Sequence, residues 1–374
     1  MRNEPEQIVR RITPKWFTSV MGTGIVANAA VTLPMASTAL RRGALVVWIA
    51  AAVWLTVLSS AWLLHALRYR RVARGWADDA AEAPFYGAPA MALLTVGAGA
   101  LLVGRDLIGL NAALAIDWTL WTLGTLGGLA SALAVPYLMF TRHELAPQDG
   151  SATWLMPVVP PMVSAATGAL LVPHAPAGQP RLTLLLVCLA LFGLAAIASL
   201  MVASMLWARL THYKLPAAPL RPTLWILLGP LGQSVTAAGL MARVAPTALT
   251  RPDATGLRIF ALLYGVPVWG FAILWLTLVT VITVRTIREH LAFTPSWWSF
   301  TFPLGTLVTG TSALAVRTGS VAVKTAAPIL WVALLAAWLI VAGRTIADAL
   351  ARRRSLGVAI RPSFAGGDPL LRTP

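Results

Sequence analysis

Apolar runs of about 20 residues, the length that crosses a hydrocarbon core, follow one another along almost the whole chain. They fall at 14–33, 43–67, 85–104, 113–139, 153–172, 182–208, 223–245, 257–284, 296–316 and 322–350. Lipid satisfies no backbone N–H or C=O, so runs of this kind have to cross as helices or as strands of a closed barrel, and their length selects helices. The expectation is an all-α polytopic membrane protein of ten transmembrane helices. One membrane domain spans 1–350, followed by a cytoplasmic tail, 351–374, expected to be disordered. Composition agrees: 58% of the 374 residues are hydrophobic and 11% are charged, with mean hydropathy +0.75.

A formal net charge of +16 raises the possibility of a nucleic-acid partner, but the basic residues lie between the runs rather than in a patch. The N-terminus, the segments after runs two, four, six and eight, and the C-terminal end from Arg344 together hold 20 of the 29 Lys and Arg. The positive-inside rule then puts both termini in the cytoplasm, and the expectation is a plasma-membrane protein with lipid as its surroundings and no nucleic acid as partner. Cys188 is the single cysteine, which excludes an internal disulfide. Arg10 and Arg11 before an apolar run, with Ala27-Asn28-Ala29 inside it, mimic a secretory signal and its cleavage site. That run belongs to a repeat, and on that ground it is expected to be kept.

The repeat is marked by an aromatic opening in each odd-numbered run: Trp16, Phe85, Trp154, Trp225 and Trp297, about seventy residues apart. Five helical hairpins follow. Gly or Pro recurs after each aromatic, as in Gly22 and Gly24, or Pro157, Pro160 and Pro161, whereas the even runs are longer, smoother and richer in Leu, Ala and Val. Exceptions are Gly265, Pro267 and Gly270 in the eighth run and Pro328 in the tenth. Broken backbone at membrane depth is tolerated where it is buried in protein or lines a watery cavity. The odd helices are therefore expected to form an inner ring around a central pore, with the even helices as an outer ring facing lipid.

Hydroxyls and amides run along the inner segments, and no Asp or Glu lies in any odd run. Intramembrane carboxylates mark cation sites and proton relays, so a pathway of weak donors points to a small anion. The candidates are Thr18, Gly22, Thr23 and Gly24 in the first run and Pro157 and Pro160 in the fifth. Gly229, Pro230, Gly232, Gln233 and Ser234 in the seventh and Ser299, Pro303, Gly305 and Thr306 in the ninth complete the set. Each mid-helix Pro also frees a carbonyl four residues back, and a carbonyl repels anions, so these oxygens have to be turned away or paired. The nearest ionisable groups, His65, Asp117, His143 and Glu144, lie outside the inner runs, and no proton coupling is expected beyond symport of an already protonated substrate.

The segments WFTSVMGTGIVA (16–27), WLMPVVPPMV (154–163), GPLGQS (229–234) and WWSFTFPLGT (297–306) resemble the tellurite-resistance/dicarboxylate transporter family, which also includes the slow-type anion channels of plant guard cells. They cover four of the five inner runs. The resemblance implies ten helices in five hairpins around a quasi-fivefold pore and assembly as a homotrimer. It also implies that Phe302, in SFTFP, plugs the pore as its gate. Met-Gly-Thr-Gly-Ile in the first run looks like the branch of malate permeases and sulfite efflux pumps, and GPLGQS leans toward the latter. The expected function is transport of a C4-dicarboxylate such as malate or succinate, or of sulfite, with voltage- or signal-gated chloride or nitrate conduction as the alternative.

A multi-pass membrane enzyme would need paired acids, a metal-binding cluster or a nucleophile with its base. The five His residues (65, 143, 174, 212, 290) stand at no ligand spacing. No catalytic residue, metal or cofactor is expected. A sensor or scaffold would have no use for five broken helices.

Overall fold

The computed structural model describes residues 12–35 and 37–359, with side chains to residue 351. All regular structure among these residues is helical. The α-helices of more than four residues are α1 (Phe17–Thr32), α2 (Thr38–Arg68), α3 (Arg70–Asp78), α4 (Gly87–Gly99), α5 (Leu110–Thr141), α6 (Pro160–Leu171), α7 (Gln179–Tyr213), α8 (Leu228–Val244), α9 (Arg251–Arg288), α10 (Phe302–Thr318) and α11 (Val321–Ala359). The last helix carries regular structure past 351, and the tail beyond Ala359 lies outside the described residues, as do Arg2, Arg10 and Arg11 at the other end.

Eight helical stretches among the described residues are long and apolar enough to cross a membrane. The first and fifth apolar runs are helical but shorter: α1 has 16 residues and α6 has 12. Pro157, Pro160 and Pro161 explain α6. Proline supplies no N–H and fits the first turn of a helix, so the regular helix starts at Pro160, and the chain before it is a 3₁₀ turn over Ala152–Leu155. The same device opens every odd run: Pro14–Trp16, Ala83–Tyr86, Ala218–Leu227 and Pro295–Phe300 are also 3₁₀ turns. Each repeat aromatic sits inside one of them.

Burial separates the two kinds of run. In the stretches containing α4, α8 and α10, 78% to 83% of the most apolar window is buried, against 22% to 33% for α2, α5, α7, α9 and α11. The long helices expose apolar side chains such as Leu133 and Phe140, at 76% and 83%, a surface that only lipid makes favourable. Each buried helix packs on the long helix that follows it in sequence. The buried helices also contact one another in order: α1 meets α4, α4 meets α6, α6 meets α8, α8 meets α10, and α10 returns to α1. Gly232 shows how close these approaches are, since a Cβ there would stand 2.4 Å from the Leu307 backbone nitrogen.

Side chains bond several backbone carbonyls of the buried segments, including that of Pro157, which Pro161 frees. Trp48 and Trp121 on the long helices donate their indole N–H to the carbonyls of Val96 (3.0 Å) and Ser164 (2.9 Å), and Trp275 and Trp331 donate to Leu224 (3.0 Å) and Val26 (3.3 Å). Val96 precedes a π-helical stretch, Ala100–Gly104, where the regular bonding pattern slips by one residue. Thr306 Oγ1 lies 2.7 Å from the Pro303 carbonyl and 3.2 Å from that of Gly229, and Ser131 Oγ lies 3.1 Å from that of Pro157. Tryptophan is therefore more than a headgroup anchor in this chain. Its indole N–H ties four of the long helices to backbone carbonyls of the buried segments.

Candidate functional site

The N-terminal halves of the five buried segments converge on one small cavity. Thr18 and Met21 come from α1, Phe85 and Met91 from the turn before α4 and from α4, and Met156 and Val159 from the turns before α6. Ile226, Gly229 and Pro230 come from α8 and the turn before it, and Trp298, Ser299, Phe302 and Pro303 from α10 and its own turn. Its volume is about 20 Å³, room for about one water molecule. Phe302 is 2% exposed. Apart from Ser299 and Thr18, the side chains that close the cavity are aliphatic, thioether or aromatic, and Thr18 turns its hydrogen onto the Lys15 carbonyl at 2.7 Å. The lining is mainly apolar, the kind of constriction at which channels gate by dewetting.

Toward the C-terminal ends of the same helices the space opens to a cavity of about 540 Å³. Asn28, Thr167, Gln233, Thr236, Thr309 and Ser312 line its walls, and Arg243, Arg258 and Arg317 stand along it.

Of the residues singled out from the sequence, the structure brings Thr18, Gly229, Pro230, Ser299, Phe302 and Pro303 together at the narrow cavity, and places Gln233 at the wide one. The others lie between helices. Gly22 faces Thr301, whose Oγ1 would be 2.2 Å from a Cβ, and Gly24 faces Thr95. Gly305 is covered by Ile25, Gly232 by the Leu307 backbone, and Pro160 packs on Gly128. Thr23 Oγ1 donates to the Ser19 carbonyl and accepts the Trp338 indole N–H at 3.1 Å, so it faces α11. Ser234 bonds the Leu231 carbonyl, Thr306 bonds its three carbonyls, and Pro157 offers its carbonyl to Ser131.

Most buried hydroxyls on these helices are spent on their own backbone three or four residues back, among them Ser19, Thr95, Thr167 and Thr311. Within the apolar lining Met21, Met91 and Val159 were missed, whereas Pro230 and Phe302 were singled out, and the repeat carries the signal for all five. Five residues after the aromatic stand Met21, Val159, Pro230 and Phe302, and six after it in the second repeat stands Met91. All five line the narrow cavity.

Asp117 and His65 are fully buried on long helices and line neither cavity. Neither Asp117 carboxylate oxygen has a hydrogen-bond partner, and Oδ1 lies against Gly97. No group of three His, Cys, Asp or Glu that could hold a metal occurs among the described residues.

A sequence model described as voltage-dependent anion channel, SLAC1, matches residues 11–346 of this chain. An uncharacterized transporter of Methanocaldococcus jannaschii is 26% identical over 80% of this chain and 83% of its own length. The sulfite efflux pump SSU1 of Arthroderma otae is 25% identical over 89% of both chains, and that of Trichophyton rubrum is 26% identical over 80% of this chain and 81% of its own.

Proposed function

The chain belongs to the SLAC1 family of voltage-dependent anion channels, and on that premise we propose that it moves a small oxyanion through the space enclosed by α1, α4, α6, α8 and α10, with Phe302 as the gate. The observation that carries this reading is the meeting of all five buried segments at one apolar constriction that includes Phe302. Beside it on the pathway stand Thr18, Gly229, Pro230, Ser299 and Pro303, with Gln233 further along.

In this reading the buried helices are the inner ring and the long helices the outer ring of five hairpins. The cyclic order of contacts and the contrast in burial support it. The protein resides in the plasma membrane as a homotrimer with both termini in the cytoplasm. Sulfite is the first substrate to test because relatives matching most of the chain are named sulfite efflux pumps. Malate and succinate follow, and passive chloride or nitrate conduction is the second reading, favoured by the family's description as channels. No proton relay is assigned, since Asp117 and His65 line neither cavity.

Flux of sulfite, malate, succinate, chloride and nitrate through purified protein in liposomes, with and without a pH gradient, tests the reading. Sulfite or dicarboxylate flux above chloride flux is expected, with no dependence on the gradient beyond the substrate's own protonation. Equal or greater chloride and nitrate flux selects the channel reading. Absence of flux for all five anions removes both.

A further inference from the structure

We propose that Arg243, Arg258 and Arg317, together with Gln233 and Ser312, form an outer capture site for oxyanions in the wide cavity, separate from the constriction at Phe302. The proposal rests on the transport reading for its biological use but not for its chemistry.

The three arginines come from three helices, α8, α9 and α10, and line one cavity. Each is exposed at that mouth. Ion pairs occupy Arg41, Arg105, Arg142, Arg221 and Arg285 elsewhere in the molecule. Among the described residues these three have no acidic partner, and no Asp or Glu lines the cavity. Three unneutralised cations around one low-dielectric space produce a positive field that concentrates anions at its mouth.

The walls carry a second, independent sign of a ligand. Ser312 is 2% exposed and lines the cavity, and its Oγ has no hydrogen-bond partner. Most hydroxyls on the buried helices are spent on backbone carbonyls; Ser164 and Ser312 are not, and Ser312 is the one of the two that lines the cationic cavity. Gln233, 5% exposed, adds an amide on the α8 side. A buried polar atom without a partner costs free energy, and a bound anion that accepts from Ser312 removes that cost.

Guanidinium groups favour one class of anion. Their planar fork of N–H donors matches two oxygens of a carboxylate or sulfite, which a spherical halide cannot offer. The arginines stand at the wide end, where water reaches them, so the capture is reversible and the anion is not trapped in front of the constriction. The cavity volume of about 540 Å³ also accommodates a four-carbon dicarboxylate. The site is therefore assigned to small oxyanions, with sulfite and malate as probes and chloride as the control.

Two measurements on the full-length protein test it. The first is flux in liposomes against anion concentration for wild type and the R243Q/R258Q/R317Q variant. The half-saturating concentration of sulfite or malate should rise about tenfold or more, while flux at saturating anion stays within about twofold, because the constriction is untouched. The R243K/R258K/R317K variant keeps the charge and loses the fork. It should raise the half-saturating concentration for the oxyanions and leave that for chloride near wild type. An unchanged half-saturating concentration in the Gln variant overturns the site. Equal losses for chloride and oxyanions in both variants overturn the oxyanion preference.

The second measurement is equilibrium titration of detergent-solubilised protein with sulfite, followed by intrinsic tryptophan fluorescence. Saturable binding in wild type that S312A weakens and the Gln variant abolishes supports the site even if no anion crosses the membrane. That result would separate it from failure of the transport reading. Flux with no saturable binding at the arginines overturns the site and leaves transport standing. The arginines are exposed, so folding should survive. The single R258Q variant, expected to give about a threefold shift in half-saturation, covers the case in which the triple variant does not.

Discussion

The five buried helices are shut at one end and open at the other. Their N-terminal halves meet around about 20 Å³ of space lined by methionine, valine, isoleucine and Phe302, whereas their C-terminal halves diverge around about 540 Å³ lined by amides, hydroxyls and three arginines. The helices are the same, so the difference lies in what happens within each one. Proline and a 3₁₀ turn at the start bend each segment so that the residue about five positions after the aromatic points inward. Later in the helix, small residues and hydroxyls leave room. In the proposed function, selection by charge and closure by apolar contact would be separated along one axis, so that each half can be altered without the other.

The largest effect should come from the closed half. Phe302→Ala removes the aromatic ring from a cavity with room for about one water, and anion flux in liposomes should rise at least about tenfold, equivalent to about 1.4 kcal/mol off the barrier. Binding of anions at the open end should not change. Unchanged flux in a folded Phe302→Ala protein would remove Phe302 as the gate.

Two glycines three residues apart sharpen the same contrast. Gly229 lines the closed cavity and has no atom within 4 Å of where a Cβ would be, while a Cβ at Gly232 would meet the Leu307 backbone at 2.4 Å. Gly232→Ala should force α8 and α10 apart and cost about 1–3 kcal/mol, seen as a lower melting temperature in detergent. Gly229→Ala should melt at or slightly above the wild-type temperature, because Ala is favoured over Gly in a helix by roughly 0.5–1 kcal/mol, and it should reduce flux by narrowing the constriction. A reversed pattern would mean that packing and pathway have been assigned to the wrong glycines.

These glycines also show what the sequence could and could not disclose. The seventy-residue recurrence was legible because aromatic, Gly and Pro positions repeat in one dimension, and the same register marks the constriction. Orientation was not legible. A Gly that touches a pore and a Gly that touches a neighbouring helix look alike in sequence, and Gly22, Gly24, Gly232 and Gly305 are of the second kind in the structure. Nor does a threonine in a helix announce whether it faces a pathway, since its hydroxyl can be satisfied by the carbonyl four residues back, as at Thr23 and Thr95. The ties between long and buried helices were the least visible part, because Trp48 and Trp121 read as ordinary membrane aromatics until their indole N–H groups are found on Val96 and Ser164.

A smaller effect is expected at Asp117, which belongs to neither end. Its carboxylate is buried on α5 against Gly97, away from both cavities. Asp117→Asn keeps the shape and removes the ionisable proton, so flux and its dependence on a pH gradient should stay within about twofold of wild type, less than one hydrogen bond's contribution of about 0.5–1.5 kcal/mol. Loss of gradient-driven flux in this variant would instead make Asp117 a coupling group and extend the pathway into the outer helices.

The smallest effect lies outside the bundle, at the clasp between the turn before α8 and the end of α9. Glu289 accepts from Arg221 at 2.8 Å and from Arg285 at 3.0 Å, and Arg221 also donates to Thr286 Oγ1 at 3.1 Å. The hydrogen bond from Arg221, followed by that from Arg285, holds the Glu289 carboxyl below its usual value of 4.5. A carboxyl depressed in the folded state contributes stability that is complete above its unfolded value and is lost as pH falls through the folded one. The clasp should therefore be intact at pH 7 and weaken from about pH 5 downward. The carboxyl is exposed to solvent, so screening keeps its contribution small, and Glu289→Gln should lower the melting temperature at pH 7 by on the order of a degree. Wild type and variant should then converge as pH falls toward 3. A difference that grows on acidification would mean that Glu289 strains this connection and does not hold it. Unaltered Phe302-limited flux in the variant would confine the clasp to stability, leaving closure to the five inward side chains.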